Sequence, residues 1–337
     1  MVQAVSEGGI VRAESTKRMK KAPALITALA LTAALIISGC GRGGEKEGSG
    51  APPQEIDVQE PVSMPPENIH EVPVATAPGI DVTENDRAIV DFSNTRDGYA
   101  MAKYNQKIDK DVRALVVVPD GTQYQFRLTP GGDYSVLPLT GGNGEYTISV
   151  WEHVEESKFA QVISVTVDVV LDNEFSPFLR PSQFVNYSNN SAAVRKAAEL
   201  AATTDKPMDI ITVVYNYVIS NISYDKELAD TVQSGYLPDI DAVMESGKGI
   251  CFDYSALMAA MLRSQGIPTK MIFGYTGEDY HAWISVYTEE TGWIDDVIHF
   301  DGVNWNIMDP TFAAGGQNNA VTDYITDSSN YQAKYVY

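Results

Sequence analysis

The pattern of apolar residues changes once along the chain, near residue 177, and this change restricts the fold more than any other feature. Before it, short runs of alternating apolar and polar residues are separated by turn sequences such as Pro119-Asp120-Gly121, which is typical of β-strands. The runs cover residues 87–92, 99–104, 112–118, 122–128, 145–151 and 159–171. We predict that residues 81–175 form a small antiparallel sandwich, immunoglobulin-like in outline and without catalytic residues.

After residue 177 the pattern is helical first and strand-like later, which predicts an α+β domain over residues 176–337. Helices are expected at 192–203, from Pro207 onward and at 251–265. The third helix has little polar face, so it should be buried in the middle of its domain, with Gly266 and Pro268 ending it. Strands are expected at 269–275, 281–287, 293–298 and 303–308.

The first forty residues have the organisation of an export signal. Basic residues between Arg12 and Lys21 precede an uncharged run, 22–37, which is shorter than the roughly 20 residues that span a bilayer. The run ends in Ile37-Ser38-Gly39-Cys40, which resembles a bacterial lipobox. The resemblance implies that residues 1–40 are a lipoprotein signal segment and that Cys40 carries lipid. An uncleaved N-terminal anchor is the alternative, and either would place the rest of the chain at the extracytoplasmic face of the cell membrane.

The translation start is open between Met1 and Met19, because Met19-Lys20-Lys21 is the more ordinary beginning of a signal segment. Residues 41–80 follow the signal and are rich in Gly, Glu, Pro and Ser, without apolar periodicity. Proline-rich chain is extended, at ~3.1 Å per residue. We therefore expect this segment to be a disordered tether that holds the folded part off the membrane.

Charge and cysteine content exclude several classes of protein. The formal net charge is −21, and it becomes −24 without residues 1–40, because five basic and two acidic residues leave with them. A surface of this charge repels nucleic acid, so we expect no nucleic-acid partner. The four histidines are scattered and no metal-binding spacing occurs, so neither a metal nor another cofactor is expected. The two cysteines allow no disulfide framework, and lipid on Cys40 would leave Cys251 as the single thiol.

Cys251 is the candidate nucleophile. The sequence Gly247-Lys248-Gly249-Ile250-Cys251 places it at the start of the apolar helix, where unpaired N–H groups and the helix dipole favour the thiolate and should lower the thiol pKa. The alternative is a small apolar residue that fills space. His281 opens a predicted strand and is the candidate base, and Asp309 is the carboxylate that would orient the imidazole.

Residues from about Pro207 to Phe312 resemble the transglutaminase-like superfamily of papain-type cysteine enzymes. The matching motifs are Gly249-Ile250-Cys251-Phe252-Asp253-Tyr254, Leu262-Arg263-Ser264-Gln265-Gly266-Ile267-Pro268, Gly274-Tyr275, His281-Ala282-Trp283 and Asp309-Pro310-Thr311. The resemblance implies a papain-like catalytic domain with the triad Cys251, His281 and Asp309 and a thioester intermediate. It also suggests an upstream Trp or Tyr as oxyanion donor beside the Cys251 N–H, and Tyr236 is the nearest equivalent.

Some twenty residues separate the His281 strand from Asp309, where the family usually has one tight turn. We therefore expect residues 304–308 to pair directly with the His281 strand and 291–302 to form an excursion. If this is wrong, Asp295 or Asp296 becomes the orienting carboxylate. His299 is the reserve histidine, although its place in the alternation of apolar and polar residues fits a surface role better. His153 is also expected at the surface.

Two functions remain open. The first is an exported, monomeric cysteine enzyme that cleaves protein or peptide amides at the cell surface and passes the acyl group to water or an amine. The second is a surface lipoprotein in which the same domain has lost activity and serves as a binding scaffold, since fold alone does not determine function.

Overall fold

The computed structural model describes residues 70–275, 280–295 and 331–337 in full. It describes the backbone alone of residues 2–4, 276, 279, 298–300 and 305–307. Asp309 and Asp296 lie outside these ranges, as do Cys40 and the rest of the expected signal segment beyond residue 4. The helices that the structure describes include none with the length and apolar character needed to cross a membrane.

The N-terminal part consists of antiparallel β-sheets. Its strands are β1 (Val2–Ala4), β2 (Val82–Glu84), β3 (Ala88–Asp91), β4 (Tyr99–Tyr104), β5 (Val112–Val117), β6 (Gln123–Leu128), β7 (Ser135–Pro138), β8 (Gly144–Glu155) and β9 (Lys158–Val169). They form one sheet in the order β1-β9-β8-β5-β6 and another in the order β2-β3-β4-β7. The strands that the alternating runs predicted are present, and the short strands β1, β2 and β7 were not predicted. The immunoglobulin-like topology stays a prediction.

The C-terminal part begins with helices. They are α1 (Ala192–Ala201), α2 (Pro207–Asn221), α3 (Lys226–Thr231), α4 (Ile240–Ser246) and α5 (Cys251–Ser264), and the two-residue strands β10 (Ser223–Tyr224) and β11 (Lys248–Gly249) pair in parallel between them. Every residue of α5 after Cys251 is buried, as its apolar sequence predicted. Gly266 has φ +75°, a left-handed conformation that favours glycine, and it follows the helix end. The mixed α+β architecture with β-sheets first is therefore confirmed.

The second half of this part contains a four-stranded sheet in the order β14-β13-β12-β17. Its strands are β12 (Thr269–Thr276), β13 (Asp279–Thr288), β14 (Gly292–Ile294) and β17 (Tyr331–Val336). Strands β15 (Ile298–Phe300) and β16 (Trp305–Ile307) pair with each other in a separate two-stranded sheet. The expected direct pairing of residues 304–308 with the His281 strand is wrong, because the tight turn after Thr288 brings Gly292–Ile294 to the edge of β13 instead.

The two parts share one apolar core. Tyr337 is buried and its ring contacts those of Tyr124 and Phe126 from β6, with centroid separations of 5.2 and 5.8 Å. Thr140 donates a hydrogen bond of 2.7 Å from its hydroxyl to the carbonyl of Val336. The β-sheets therefore support the sheet that carries His281.

The buried Arg263 near the end of α5 joins three separate backbone segments. Its guanidinium donates to the carbonyls of Thr269 (2.8 Å), Arg180 (2.9 Å) and Tyr337 (2.9 Å). Burial lowers the Arg263 pKa to about 10, so the group remains charged at neutral pH. Three carbonyls thus take the place of a carboxylate partner and hold the helix against β12 and the C-terminal strand.

The last ten residues of the expected tether lie on the folded part. Val72 is buried, and its N–H donates to the side chain of Asn189 (2.9 Å). Further along, the N–H of Gly79 donates to Asp91 (2.7 Å). The apolar core and these hydrogen bonds order a stretch whose composition alone predicted disorder.

Candidate active site

The loop before α5 fixes the position of Cys251. Gly247 ends α4 with φ +62°, and β11 then pairs with β10 so that Gly249 lies opposite Tyr224. Asp253, in the first turn of α5, accepts a hydrogen bond from the N–H of Ile250 (2.8 Å), which closes the helix start. A Cβ atom on Gly249 would lie 2.6 Å from the Cβ of Asp253, so this position requires glycine.

Cys251 is the first residue of α5 and is partly buried. The backbone of Ala282, the residue after His281, lies close enough to the sulfur to lower the thiol pKa, and α5 contacts the strand that carries His281. The structure therefore brings the thiol to the His281 strand, as the motif order implied. Trp283 and Ala282 are both buried, which anchors this part of β13 against the helix.

The thiol pKa differs from the sequence-based expectation. Burial raises the pKa of Cys251 to about 11, and the nearby Asp253 carboxylate acts in the same direction. Hydrogen bonds from the backbone of Ala282 and Phe252 lower it, but they do not outweigh burial. The expected lowering of the pKa at the helix start is therefore wrong for the resting site, because the helix terminus lies inside the protein and not at its surface.

His281 lies at the start of β13, opposite Gly274 of β12, and its side chain is partly buried. Tyr280 precedes it, and the pKa of Tyr280 is raised by burial and further by the neighbouring Cys251 thiol. The residues before and after His281 therefore both lie close to the sulfur.

The third residue of the expected triad, Asp309, lies outside the described residues and stays a prediction. Of the two reserve carboxylates, Asp296 also lies outside them. Ile294 pairs with Val286, so the next residue, Asp295, is level with Ser285. Ser285 is four residues from His281, which is about 13 Å along the strand. Asp295 therefore does not orient the His281 imidazole. His299 belongs to β15, of which only the backbone is described.

Tyr236 donates to a different group from the oxyanion that was expected. Its hydroxyl donates a 2.6 Å hydrogen bond to the buried carboxylate of Asp253. Burial raises the pKa of Asp253, and it raises that of Tyr236 with a further increase from the Asp253 bond. A tyrosine hydroxyl has one proton, so Tyr236 holds Asp253 in this structure and has no donor left for an oxyanion.

Tyr224 is a residue that the sequence reasoning missed. It is partly buried beside Gly249, and burial raises its pKa to about 12, with a further increase from the Cys251 thiol. In the sequence, Tyr224 lies just after a helix and 27 positions before the nucleophile. No periodicity marks it as a residue of the site. The parallel pairing of β10 with β11 is what brings it to the site.

Other candidates have structural explanations. The ring of His153 contacts that of Phe159 edge to face at 5.3 Å, and its Nε2 lies 2.7 Å from the carbonyl of Glu156. His153 thus stabilises a hairpin end, as expected for a residue without a site. No group of three or more His, Cys, Asp or Glu residues in the described part of the chain is arranged to hold a metal ion.

Comparison with known proteins gives a family match over the same region. The model of the transglutaminase-like superfamily matches residues 194–296. The chain is 29% identical over 118 residues to the uncharacterized protein YebA of Bacillus subtilis, and this covers 29% of the chain and 16% of YebA. It is 31% identical over 68 residues to a protein-glutamine gamma-glutamyltransferase of Pseudomonas aeruginosa, which covers 16% of the chain and 10% of that protein.

A solved structure from Cytophaga hutchinsonii aligns with 77% of this chain and 74% of its own, at 13% identity and a TM-score of 0.34. The chain spans about a sixth of the length of YebA and about a tenth of that of the gamma-glutamyltransferase. The family match includes Cys251 and His281 with the helices that lead to them. Residues 194–296 of this chain are a domain of the transglutaminase-like superfamily.

Proposed function

We propose that the chain is a cysteine enzyme that cleaves an amide of a protein or peptide and transfers the acyl group to water or to an amine. One observation carries the proposal: the helix that begins at Cys251 contacts the strand that carries His281, and the backbone of Ala282, directly beside His281, lies close enough to the thiol to lower its pKa. The relative named protein-glutamine gamma-glutamyltransferase favours a glutamine side chain as the acyl donor.

The reaction starts with a neutral thiol. The His281 imidazole takes the proton from Cys251 as the sulfur attacks the amide carbonyl carbon, and the carbonyl oxygen becomes an oxyanion. When the C–N bond breaks, the imidazolium gives its proton to the leaving amine or ammonia, and a thioester remains. Water or an amine then attacks the thioester, His281 accepts its proton, and the thiolate leaves and is reprotonated.

Two further roles complete the site. Asp309 is proposed as the carboxylate that fixes the His281 tautomer and stabilises the imidazolium. The N–H of Cys251 is proposed as the first oxyanion donor. We propose that Tyr224, which lies close enough to the thiol for the thiol to raise its pKa further, contributes to the second.

The second candidate function is a binding scaffold without activity. The raised pKa of Cys251 favours it, since a thiol with a pKa of about 11 is almost entirely protonated at neutral pH. The two functions differ in one property: only in the enzyme does His281 convert this thiol into a nucleophile at neutral pH.

A trapped acyl-enzyme tests the reaction. The full chain is incubated with glutamine-containing peptides and quenched in acid, and the mass of the Cys251 peptide is measured. We expect a mass increase equal to the acyl fragment, which hydroxylamine removes, as it does from thioesters. The Cys251→Ser variant should give no hydroxylamine-sensitive adduct. A wild-type protein that gives neither adduct nor released ammonia with any peptide would favour the scaffold.

We also propose that the protein is attached to the cell membrane through lipid on Cys40 and faces the extracytoplasmic side. The lipobox-like sequence that ends at Cys40 supports this. The intact mass of the membrane-bound protein should show cleavage before Cys40 and an added diacylglyceryl group, and Cys40→Ala should release the protein or leave it unprocessed. An unmodified Cys40 in mature membrane-bound protein would contradict the attachment.

A further inference from the structure

A groove with a cavity volume of about 110 Å³ runs between the β-sheets and the transglutaminase-like domain. Phe252, the second residue of α5, lines one part of it, and so does Tyr236, whose hydroxyl bonds to Asp253 in the first turn of that helix. Phe126, on β6, belongs to the opposite wall. The groove therefore runs from the start of α5 to the N-terminal part of the protein.

Aromatic rings make up most of its walls. Phe252 and Phe273 meet edge to face at 4.8 Å, and Phe184 and Tyr337 are 4.1 Å apart. The rings contact one another and so hold a fixed surface. The exposed Leu237 extends this surface towards the opening. Such walls bind the apolar parts of a ligand without requiring a particular sequence.

The other end of the groove is cationic. Arg113 and Arg127 line it, and both face one carboxylate, Asp111, at 2.6 and 3.8 Å. Two guanidinium groups against one carboxylate leave one positive charge, in a chain whose formal net charge is −21. The side chain of Arg127 is 54% exposed and that of Arg113 is 22% exposed, so Arg127 is the more available of the two.

The position of Arg127 is fixed from both sides. Gln183 accepts a hydrogen bond from its backbone N–H (2.9 Å) and donates one to its carbonyl (2.7 Å). On the other side, the backbone of Gly235 packs against the guanidinium so closely that a Cβ there would lie 2.7 Å from Nη1. The backbone of Arg127 is therefore fixed beside the groove, and its guanidinium lies against Gly235.

We infer that this groove binds the acyl-donor peptide and selects donors that carry a carboxylate side chain, which Arg127 and Arg113 bind. This inference rests on the proposed function, because only an enzyme of that kind has an acyl donor. The aromatic walls hold the peptide between the cationic end and Cys251, and a guanidinium matches a carboxylate in geometry and charge. The rest of the protein is acidic and repels such a peptide, whereas the positive charge in the groove attracts it.

Binding to the full-length Cys251→Ala variant tests the inference separately from the chemistry. Two fluorescent peptides share a central glutamine and one phenylalanine, and they differ only in flanking glutamates or flanking glutamines. Fluorescence anisotropy gives the two dissociation constants. We expect the acidic peptide to bind about fivefold more tightly, an effect that added salt reduces.

Three further variants, each made in the Cys251→Ala chain, locate the effect. Arg127→Gln should bring the ratio of the two dissociation constants close to one, whereas Asp111→Asn should increase the ratio because it frees both guanidinium groups. Arg195→Gln makes the same charge change on the exposed face of α1 and should leave the ratio unchanged. Equal binding of the two peptides, or a ratio that Arg127→Gln does not change, would overturn the inference.

Turnover of the two peptides by the wild-type chain separates this inference from the proposed function. Acidic selectivity in binding without any thioester would refute the enzyme and keep the groove as a peptide site. Thioester formation at equal rates from both peptides would refute the groove's selectivity and keep the enzyme.

Discussion

Replacing Cys251 or His281 by alanine should each lower amide turnover by a factor on the order of 10⁴ to 10⁶, down to the background of the assay. The two losses should be similar and not additive, because nucleophile and base act as one unit. The thiol depends on the base especially strongly here, since burial raises the Cys251 pKa to about 11. Ammonia release from a glutamine peptide measures turnover, and thermal melts show that each variant is folded.

His153→Ala is the matched control, because it removes a histidine from the β-sheets and should leave turnover unchanged. Asp309→Ala should keep more activity than His281→Ala, because the nucleophile and the base both remain. Full activity in folded Cys251→Ala would refute the central proposal. Full activity in His281→Ala alone would require another base.

The oxyanion assignment predicts a smaller and selective loss. Tyr224→Phe should lower kcat by about 10²- to 10³-fold with little change in KM, the usual effect of losing one oxyanion donor. Tyr236→Phe instead removes the hydrogen bond to Asp253, which closes the start of α5, so its effect should appear in thermal stability as well as in rate. A Tyr236→Phe variant that lost kcat alone, with Tyr224→Phe unaffected, would restore the assignment made from sequence.

Tyr337→Ala should remove about 3–5 kcal/mol from the free energy of unfolding, a large part of the ~5–15 kcal/mol that a folded protein usually has. Its ring is buried among those of Tyr124, Phe126, Phe184 and Phe273, so its loss leaves a cavity where the two parts of the protein meet. Urea denaturation measures the change. Tyr337→Phe keeps the ring and should cost far less; a loss below about 1 kcal/mol for Tyr337→Ala would show that this core does not join the two parts.

Periodicity predicted the elements that have a clear apolar face. The β-strands between Ala88 and Thr288 with six or more residues and the buried helix α5 all follow directly from the sequence, whereas β17 was not predicted. Helices α3 and α4 were missed because six and seven residues are too few to show a helical period, although Asp225 and Asp239 cap them.

The details of the site depend on contacts between distant residues, which periodicity does not encode. Tyr224 reaches the nucleophile loop through a strand pair that joins residues 25 positions apart, and Tyr236 reaches Asp253 across 17 positions. The thiol pKa shows the same limit. The local sequence indicated a helix start that stabilises a thiolate, whereas the direction of the shift is set by burial beneath β13.

The rate of Cys251 alkylation by iodoacetamide as a function of pH tests the central claim most directly. In the wild-type protein the rate should already be high at pH 6–7, because His281 takes the thiol proton. In His281→Ala the rate should be low there and should rise only in more alkaline solution, because burial raises the pKa of the thiol. A wild-type profile that also rises only in alkaline solution, and coincides with that of His281→Ala, would show that the two residues do not act as a pair and that the domain is a scaffold.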